Sequence, residues 1–526
     1  MAISYAHIPP NLRVPLAYFE MSNERAATFQ ILQNALLLGS VPADMGLAPN
    51  VPTFVRSADH ASALTGVGSA FHRQCISWFR NNASVPLYLL AALQPTAPAA
   101  GAYTHSWGAI EFAGTAAGGG TLPLYIGNRA IRVVVSFGDT AADIAEAVRD
   151  AINVNPAVGV DAFVDAATPG PVPPPTLPDG TDVTQIRARQ AGTLGGLDIA
   201  FGLEGVVGGE IMPAGITATI TRMTGGAGRP DLGQLLSSIG DAAYDFVMNP
   251  FEVDGPLGAQ DLDDLDEWFN DATGRWSWAQ QLYGHFFCAY ETRVGGLSSF
   301  GQTRNGQHGS TMGFFGSPTP HDEWLTAYVG QAAGSLIIDP ARPVQALPLI
   351  GVRAPSVENR FTILERQVLY YDGISSYYTT QDGTVYIDRL ITHYRVNVWG
   401  APDNSYLDVE TLFTAAYYNR FMRQRILTKF PRHKLANDGT RFGVGQAIVT
   451  PRIMRAEFVA AYSELVESGI VENIEGFEDE IIVERDANDP NRLNVLAPPD
   501  WVNQLRIAAV LVAFRLQNVD AAGRTA

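Results

Sequence analysis

The chain has 526 residues, several times the ~100–150 residues of a typical domain, so roughly two to four domains are expected. Its 53 acidic residues outnumber its 35 Lys and Arg residues, and the net charge of −18 argues against a general binder of nucleic acid or of anionic membranes. With 46% apolar and only 17% charged residues, the composition excludes disorder throughout and predicts a large core, with surface that other protein covers.

Residues 1–22 are predicted to be an extended N-terminal arm, because Pro9, Pro10 and Pro15 are incompatible with a helix. The N-terminus has no basic region followed by an apolar run, so it is not a secretory signal. Residues 23–93 are predicted to form the first part of a core domain. They contain an apolar helix or strand at 24–38, a helix at 60–79 and a buried strand at 85–91.

Residues 94–228 are rich in Gly, Ala, Thr and Pro, and we predict an inserted β-rich domain that faces outward. Strands at 122–126 and 130–136 are joined by Gly127 and Asn128, a pair typical of a hairpin turn. A helix at 141–153 is predicted to begin with a capping box at Thr140. The proline-rich tract at 169–178 is predicted to be a loop.

Residues 229–408 return to an α/β pattern and are predicted to complete the core domain. The elements expected there are strands at 244–250, 285–290 and 383–397, and helices at 261–270 and 323–334.

Residues 409–504 are predicted to form a C-terminal domain, with helices at 411–430 and 451–468 and a strand at 481–484. Residues 505–526 are predicted to be a C-terminal strand and arm, with the strand at 507–516. The apolar run in that strand is too short to span a bilayer. The fold class is therefore α/β (α+β) and multidomain.

No motif for catalysis, cofactor binding or metal binding is found. Neither of the two lysines, Lys429 and Lys434, ends a P-loop, and no G-x-G-x-x-G follows a strand. Ser298, Ser299 and Ser310 lie outside any G-x-S-x-G elbow. The nine histidines have no metal-ligand spacing, and the two cysteines, Cys75 and Cys288, are expected to be buried small side chains in a reduced compartment.

Two acidic clusters have unremarkable interpretations. The run at 321–323 is expected to be a helix start with acidic residues in its first turn. The acids between Asp261 and Asp271 lack the Gly and Glu of a calcium loop, and are expected to be the solvated face of a helix at its positive end.

Charge is distributed unevenly in the last quarter of the chain. Residues 420–434 contain six basic residues and no acid, whereas residues 472–489 contain eight acids and one arginine. A nucleic-acid site is disfavoured, because the basic stretch lacks interleaved aromatic stacking residues. Two interpretations stay open: the patches complement each other across a subunit contact, or both are solvated faces.

Several segments resemble contractile tail sheath proteins, in the version found in phages like Mu. The match extends over nearly the whole chain, is densest at about 340–515 and is weakest in the inserted region. Leu16 departs from it, because a glycine usually follows that proline. The motifs include IPPNLRVP at 8–15, ENRFTILER at 358–366, IDRLITHY at 387–394, FPRHKLA at 430–436 and DPNRL at 489–493.

The resemblance implies a sheath core of the type labelled subtilisin-like, a C-terminal domain, and arms that add strands to the sheets of neighbouring subunits. It implies a virion protein, assembled in the host cytoplasm as stacked hexameric rings around a tail tube. The sheath would contract to drive the tube through the host envelope. The implied partners are further copies of the chain and the tail tube, baseplate and tail terminator proteins, without a cofactor, direct nucleic-acid contact or membrane insertion.

The residues support such an assembly independently, because a proline-punctuated N-terminal strand and an apolar C-terminal strand each need a partner edge. Alternatives are the sheath of a headless, bacteriocin-type particle, a tube or capsid subunit, and a subtilisin-like hydrolase, for which no triad is found. The hypothetical subunit interface comprises Arg13, Val14, Leu16, Tyr18, Arg420, Arg423, Arg425, Glu478, Glu480, Ile507, Val510, Val512 and Phe514.

Overall fold

The computed structural model of the chain describes residues 33–95, 103–164 and 177–514. The predicted N-terminal arm with Arg13, Val14, Leu16 and Tyr18, most of the proline-rich tract, and residues 515–526 lie outside the described residues.

The first elements of the chain begin the core, and those that follow build the inserted region. Residues 33–95 form β1 (Ala35–Val41), β2 (Thr53–Val55), α1 (Ala58–Thr65), α2 (Ala70–Asn81) and β3 (Leu87–Leu93). Residues 103–228 form β4 (Trp107–Gly114), β5 (Gly120–Ile126), β6 (Arg129–Val135), α3 (Ala141–Asn153), β7 (Val160–Val164), β8 (Val183–Ala188), β9 (Ile199–Phe201) and β10 (Ile216–Thr224).

The remaining elements complete the core and build the C-terminal unit. Residues 229–408 form α4 (Leu232–Ser237), β11 (Phe246–Met248), α5 (Gly255–Phe269), β12 (His285–Glu291), α6 (Val294–Gly301), β13 (Gly309–Phe314), α7 (His321–Leu336), α8 (Ile363–Tyr371), β14 (Ser376–Thr379) and β15 (Val385–Arg389). Residues 409–514 form α9 (Val409–Lys429), β16 (Lys434–Leu435), β17 (Ile448–Val449), α10 (Pro451–Glu467), β18 (Val471–Glu472), α11 (Ile474–Glu480), β19 (Ile482–Arg485), β20 (Leu493–Leu496) and β21 (Asp500–Trp501).

The core is a six-stranded sheet of order β13-β12-β11-β1-β3-β2, parallel except for β2. All seven residues of β1 are buried, as expected for a central parallel strand covered on both faces. Leu37 packs toward α2 and α7, and Leu36 packs toward α4 and α5. The chain leaves this sheet after β3 and re-enters on the other side of β1 at β11, so β1 marks the topological switch point.

The inserted region contains two sheets of its own, of orders β10-β4-β8-β7 and β6-β5-β9, whose strands pair only with one another among the described residues. Ile144, Val148 and Ile152 of α3 lie in the shared apolar core. The hairpin at Gly127 and the capping box at Thr140 are both confirmed. The division of the chain into domains at the predicted boundaries stays a prediction.

Three predicted elements that precede the C-terminal domain differ from the structure. The helix expected at 60–79 is two helices, because Gly66 and Gly68 adopt positive φ angles of 90° and 80° and Ser69 caps a new helix. The strand expected at 383–397 ends at Arg389. The helix expected at 261–270 begins six residues earlier, at Gly255.

The C-terminal unit packs α9, α10 and α11 around buried aromatic residues that include Phe458, Tyr462 and Phe477. The Tyr462 and Phe477 rings stack with centroids 3.8 Å apart. Around these helices lie three two-stranded sheets, formed by β16 with β17, β18 with β21, and β19 with β20.

Candidate assembly surface

The C-terminal tail, residues 507–514, is the largest departure from the sequence prediction. No strand forms there, and every side chain is exposed, from Val512 at 76% to Leu511 at 93%. The predicted strand is therefore wrong for an isolated subunit. The physical reason is that a strand requires a hydrogen-bonded neighbour, and no strand of the described chain pairs with this segment. Ile507, Val510, Val512 and Phe514, four residues of the hypothetical interface, are all exposed in this subunit.

The hairpin of β19 and β20 is a second incomplete element. Its strands pair Ile482 with Leu496 and Val483 with Val495, and no third strand of the described chain joins either edge. Ile482 and Leu496 are 53% and 61% exposed. A two-stranded hairpin with an exposed apolar end is marginal alone and accepts a further strand readily.

The basic stretch is only partly available to a partner. Arg420 donates to Asp245 at 2.6 Å, and Arg425 donates to Glu457 at 2.5 Å and to Glu464 at 2.7 Å. These two arginines are therefore engaged inside the subunit, which weakens their assignment to an interface. Lys429 also binds Glu457, at 2.8 Å. Arg423, Arg432 and Lys434 are exposed and form no ion pair among the described residues.

The acidic stretch, in contrast, is nearly all free. Glu478 and Glu480 are exposed, and their carboxylates form no ion pair within the described part of the chain. Asp486 is the exception: it lies 3.8 Å from Arg492, and hydrogen bonds from Asn494 and from backbone N–H groups lower its pKa to about 2. Of the charged residues proposed for the subunit interface, Arg423, Glu478 and Glu480 therefore stay candidates, whereas Arg420 and Arg425 already have partners within the subunit.

The acids at 261–271 are not simply a solvated face. Because α5 begins at Gly255, they lie in its middle and at its C-terminal end, where the helix dipole does not favour them. Arginines compensate instead: Asp261 pairs with Arg229, and Arg304 bridges Asp263 at 2.8 Å and Asp266 at 2.7 Å. The sequence expectation of acids at the positive end is wrong.

The run at 321–323 does start a helix, α7, but its acids are buried at the junction with the inserted region. Arg73, itself 1% exposed, lies 3.5 Å from Asp322 and 3.4 Å from Glu323. Arg129 of the inserted region reaches Glu323 at 2.7 Å. Sequence reasoning missed this network because its members are up to 250 positions apart.

The switch point of the sheet, where doubly wound folds bind ligands, is occupied by the inserted region. The Gln190 amide oxygen accepts a 2.6 Å hydrogen bond from the N–H of Ala70, the first residue of α2, and its nitrogen donates to the Ser40 carbonyl at 3.1 Å. A cavity of about 340 Å³ remains beside it. The charged side chains that line this cavity, Arg189 and Asp161, already pair with each other at 2.9 Å.

A serine and a histidine do meet in the core, but in an arrangement unlike a hydrolase. Ser310 and His285 lie 2.8 Å apart, and Ser310 donates to the Ile391 carbonyl at 2.7 Å. Both are buried, and burial lowers the pKa of His285 well below its ordinary value. Its Nδ1 has no hydrogen-bond partner among the described residues, so no carboxylate orients the ring there. Ser298 donates to Asp372, and Ser299 donates to a backbone carbonyl.

The described residues contain no group of three or more His, Cys, Asp or Glu side chains placed to hold a metal ion. None of the described helices combines the length and hydropathy that crossing a membrane requires. Both cysteines are free and buried.

Comparisons with known proteins give consistent matches. A family model described as the phage tail sheath C-terminal domain matches residues 401–515. The Mu-like prophage FluMu tail sheath protein of Haemophilus influenzae is 35% identical over 519 residues, which covers 98% of this chain and 100% of that protein.

Solved sheath structures are more distant. A crystal structure of the sheath tail protein of Desulfitobacterium hafniense is 10% identical, with a TM-score of 0.46, over 93% of this chain and 97% of that one. A cryo-EM structure of the anti-feeding prophage helical sheath in its contracted state is also 10% identical, with a TM-score of 0.46, over 96% of this chain and 100% of that one.

Proposed function

The chain belongs to the phage tail sheath family and is a structural subunit of such a sheath, and we propose that it polymerises by donating its C-terminal tail to a neighbouring copy. The observation that carries this proposal is the tail itself: an apolar segment at 507–514 that is fully exposed in one subunit. Exposed apolar strands are hazardous to a soluble protein unless another chain covers them.

The acceptor in our proposal is the hairpin of β19 and β20. Its four-residue strands match part of the eight-residue tail in length, and its exposed Ile482 and Leu496 offer an apolar surface. In an added strand, Val510, Val512 and Phe514 share one face and Leu511 points the other way. Backbone hydrogen bonds would supply affinity, and the alternating side chains would supply register.

Charge would orient the same contact. The exposed acids Glu478 and Glu480 directly precede the acceptor hairpin in the chain, and Arg423, Arg432 and Lys434 form no ion pair within the described subunit. We propose that these groups meet across subunits, where rim charges guide association more than they add affinity. Non-closing contacts repeated along an axis generate a helical tube.

The sheath is proposed to surround a tail tube, to end at baseplate and terminator proteins, and to contract without a cofactor. In this scheme the work comes from the free-energy difference between two sets of subunit contacts. A difference of a few kcal/mol per subunit, of the size that rearranged charge pairs supply, is multiplied by the number of copies. The same scheme serves a phage or a headless particle.

The inserted region is proposed to lie on the outside of the tube. Deletion of residues 98–225 with a Gly/Ser bridge tests this, provided that folding is checked first, because the deletion removes Arg129 and Gln190 from the core junction. A folded variant that still forms tubes supports the outer position. A folded variant that forms none contradicts it.

Negative-stain electron microscopy of the purified protein tests the assembly. We expect hollow tubes from the full chain, and monomers from variants that lack either residues 1–20 or residues 507–526. Val512→Asp should behave like the tail deletion, whereas Val512→Thr, which keeps the β-branched shape, should still form tubes. Tubes of undiminished yield from the tail deletion would refute the donated strand.

A further inference from the structure

The residues just before the tail, 501–506, are called here the root of the tail. They contact both the C-terminal unit and the core. On the C-terminal unit, Trp501 pairs with Val471 and the N–H of Val502 donates to the Ile470 carbonyl at 3.3 Å. Four residues later the chain is fixed to the core near the start of α9. There the Gln345 side-chain amide donates to the Leu505 carbonyl at 3.4 Å. Beyond residue 506 every described side chain is exposed.

Arg506 makes the strongest of these attachments. Its Nη2 lies 2.8 Å from Glu410 Oε1 and 3.1 Å from Asp408 Oδ1, and its Nη1 lies 3.2 Å from Gln345 Oε1. The side chain is only 11% exposed. One guanidinium therefore binds three acceptors on the core, at the last residue before the exposed tail. A lysine ammonium lacks the planar fork that this arrangement uses.

The Glu410 carboxylate makes the shortest contact with Arg506, and a charged carboxylate is unfavourable in a buried site without a cation beside it. Glu410 is completely buried, and burial raises the pKa of this carboxyl while Arg506 acts in the opposite direction. Asp408 is shared with Arg389, which binds it through two contacts of 2.8 and 2.9 Å. Removal of Arg506 would leave Glu410 buried without its cation, which costs more free energy than the loss of a surface ion pair.

We infer that Arg506 is a positioning residue for assembly, which clamps the root of the tail to the core so that the segment 507–514 leaves every subunit at one place and in one direction. This inference rests on the proposed donation of the tail. A tail of eight residues reaches about 26 Å when extended. Without the clamp, the chain beyond Val502 would be held only by the 3.4 Å hydrogen bond from Gln345 to Leu505. Opening of that single bond would add four residues, or about 13 Å, of undirected reach.

The clamp matters because the strength of a tethered contact depends on the effective concentration of the tether near its site. A root of fixed position confines the tail to a small volume, whereas a longer free segment dilutes it and must lose more conformational freedom on pairing. The clamp is therefore expected to change where the tail points and how readily tubes form, but not the contacts within the assembled strand.

Electron–electron distance measurements on unassembled full-length protein test the clamp directly. Spin labels are placed at Glu467→Cys on α10 and Leu511→Cys in the tail. Both native cysteines are buried, so we expect the label to react at the two introduced cysteines. Glu410→Gln combined with Arg506→Gln removes the ion pair without leaving a buried charge. We expect the width of the distance distribution to double at least in this double variant.

Two matched variants complete the experiment. Arg492→Gln changes an exposed arginine whose partner lies 3.8 Å away, and should leave the distribution unchanged. Arg506→Lys keeps the charge but loses the fork, and should give an intermediate width. An unchanged distribution in the double variant, with a melting temperature near that of the parent, would overturn the clamp.

Assembly provides the second readout. Without spin labels, the double variant should raise the protein concentration needed for tubes about tenfold, because its tail is diluted. Tubes at the parent concentration, despite a broadened distribution, would refute the positioning role. If deletion of residues 507–526 leaves tube formation intact, the proposed function fails, while the distance measurement still decides whether Arg506 fixes the root.

Discussion

The junction between the core and the inserted region contrasts with the C-terminal tail. At the junction, charged groups that usually remain in water are buried: Arg73 is 1% exposed and pairs with Asp322 and Glu323. In the tail, apolar groups that usually lie inside are in water, with Leu511 at 93% exposure. The usual relation between polarity and burial is inverted in both places.

The difference lies in where each region finds its partners. The junction finds its partners within one chain, from segments far apart in sequence. Its arginines pair with acids, and Gln190 binds backbone groups of Ala70 and Ser40. The tail has its complement in another copy, under the proposed function. Regions completed within the chain should therefore determine folding stability, and regions completed between chains should determine assembly. Each of the following predictions tests one side of that division.

Of the two substitutions at the junction, Arg73→Ala should have the larger effect on stability. It leaves the buried Asp322 without a cation and Glu323 with Arg129 alone, and breaking a buried ion network in this way costs about 3–5 kcal/mol. Urea-induced unfolding of the variant and the parent measures the difference. Arg56→Ala, at an exposed position with no ion pair to the described residues, is the control and should change stability by less than about 0.5 kcal/mol. A loss below about 1 kcal/mol for Arg73→Ala would show that the junction is not a stabilising unit.

Gln190→Ala should have a smaller effect at the same junction. It leaves the Ala70 N–H and the Ser40 carbonyl without their amide partner, for a loss of about 1–3 kcal/mol in the free energy of unfolding. The exposed Gln260→Ala is the matched control. If both glutamine variants unfold at the same urea concentration as the parent, the inserted region is attached to the core by other contacts.

Local features of the fold could be predicted from the sequence because their determinants are neighbours in the chain. The capping box joins Thr140 to Asp143, and the hairpin turn needs only Gly127 and Asn128. The break between α1 and α2 was equally readable from Gly66 and Gly68. A single helix was nevertheless predicted, because the apolar pattern continues across the break.

Distant partners could not be predicted in the same way. Arg420 and Arg425 looked like a free basic patch because Asp245, Glu457 and Glu464 lie outside their stretch of sequence. The tail was correctly identified as an apolar segment and wrongly assigned as a strand. A β-strand forms only where a second strand hydrogen-bonds to it, and the sequence of the tail does not specify where that second strand lies.

Acid should destabilise the folded subunit through its buried histidines. Burial lowers the pKa of His393 to about 3, with Arg304 and Arg395 adding to the effect, and lowers that of His285. The unfolded chain therefore binds more protons below about pH 6.5, and stability falls as the pH decreases from there toward 3. Each such histidine contributes a slope of about 1.4 kcal/mol per pH unit.

His393→Gln isolates one of these contributions. Glutamine can still hydrogen-bond Thr311, which lies 2.9 Å from His393, but it does not titrate. The slope of unfolding free energy against pH between 6 and 4 should decrease by about 1.4 kcal/mol per unit. The exposed His433→Gln should leave the slope unchanged. Equal slopes in all three proteins would mean that His393 is protonated in the folded state.

Leu511→Asp should have the smallest effect on stability and a large one on assembly. The side chain contacts water in the isolated subunit, so its replacement removes no buried apolar surface and should change the free energy of unfolding by less than about 0.5 kcal/mol. Leu37→Asp, the same substitution in a core strand, should abolish folding because it buries an unpaired carboxylate. Urea unfolding and tube yield are measured on the same preparations. A tail variant that loses tubes at full stability separates the two kinds of region. One that unfolds more readily would mean that the tail already packs against its own subunit, and that the contrast with the junction does not hold.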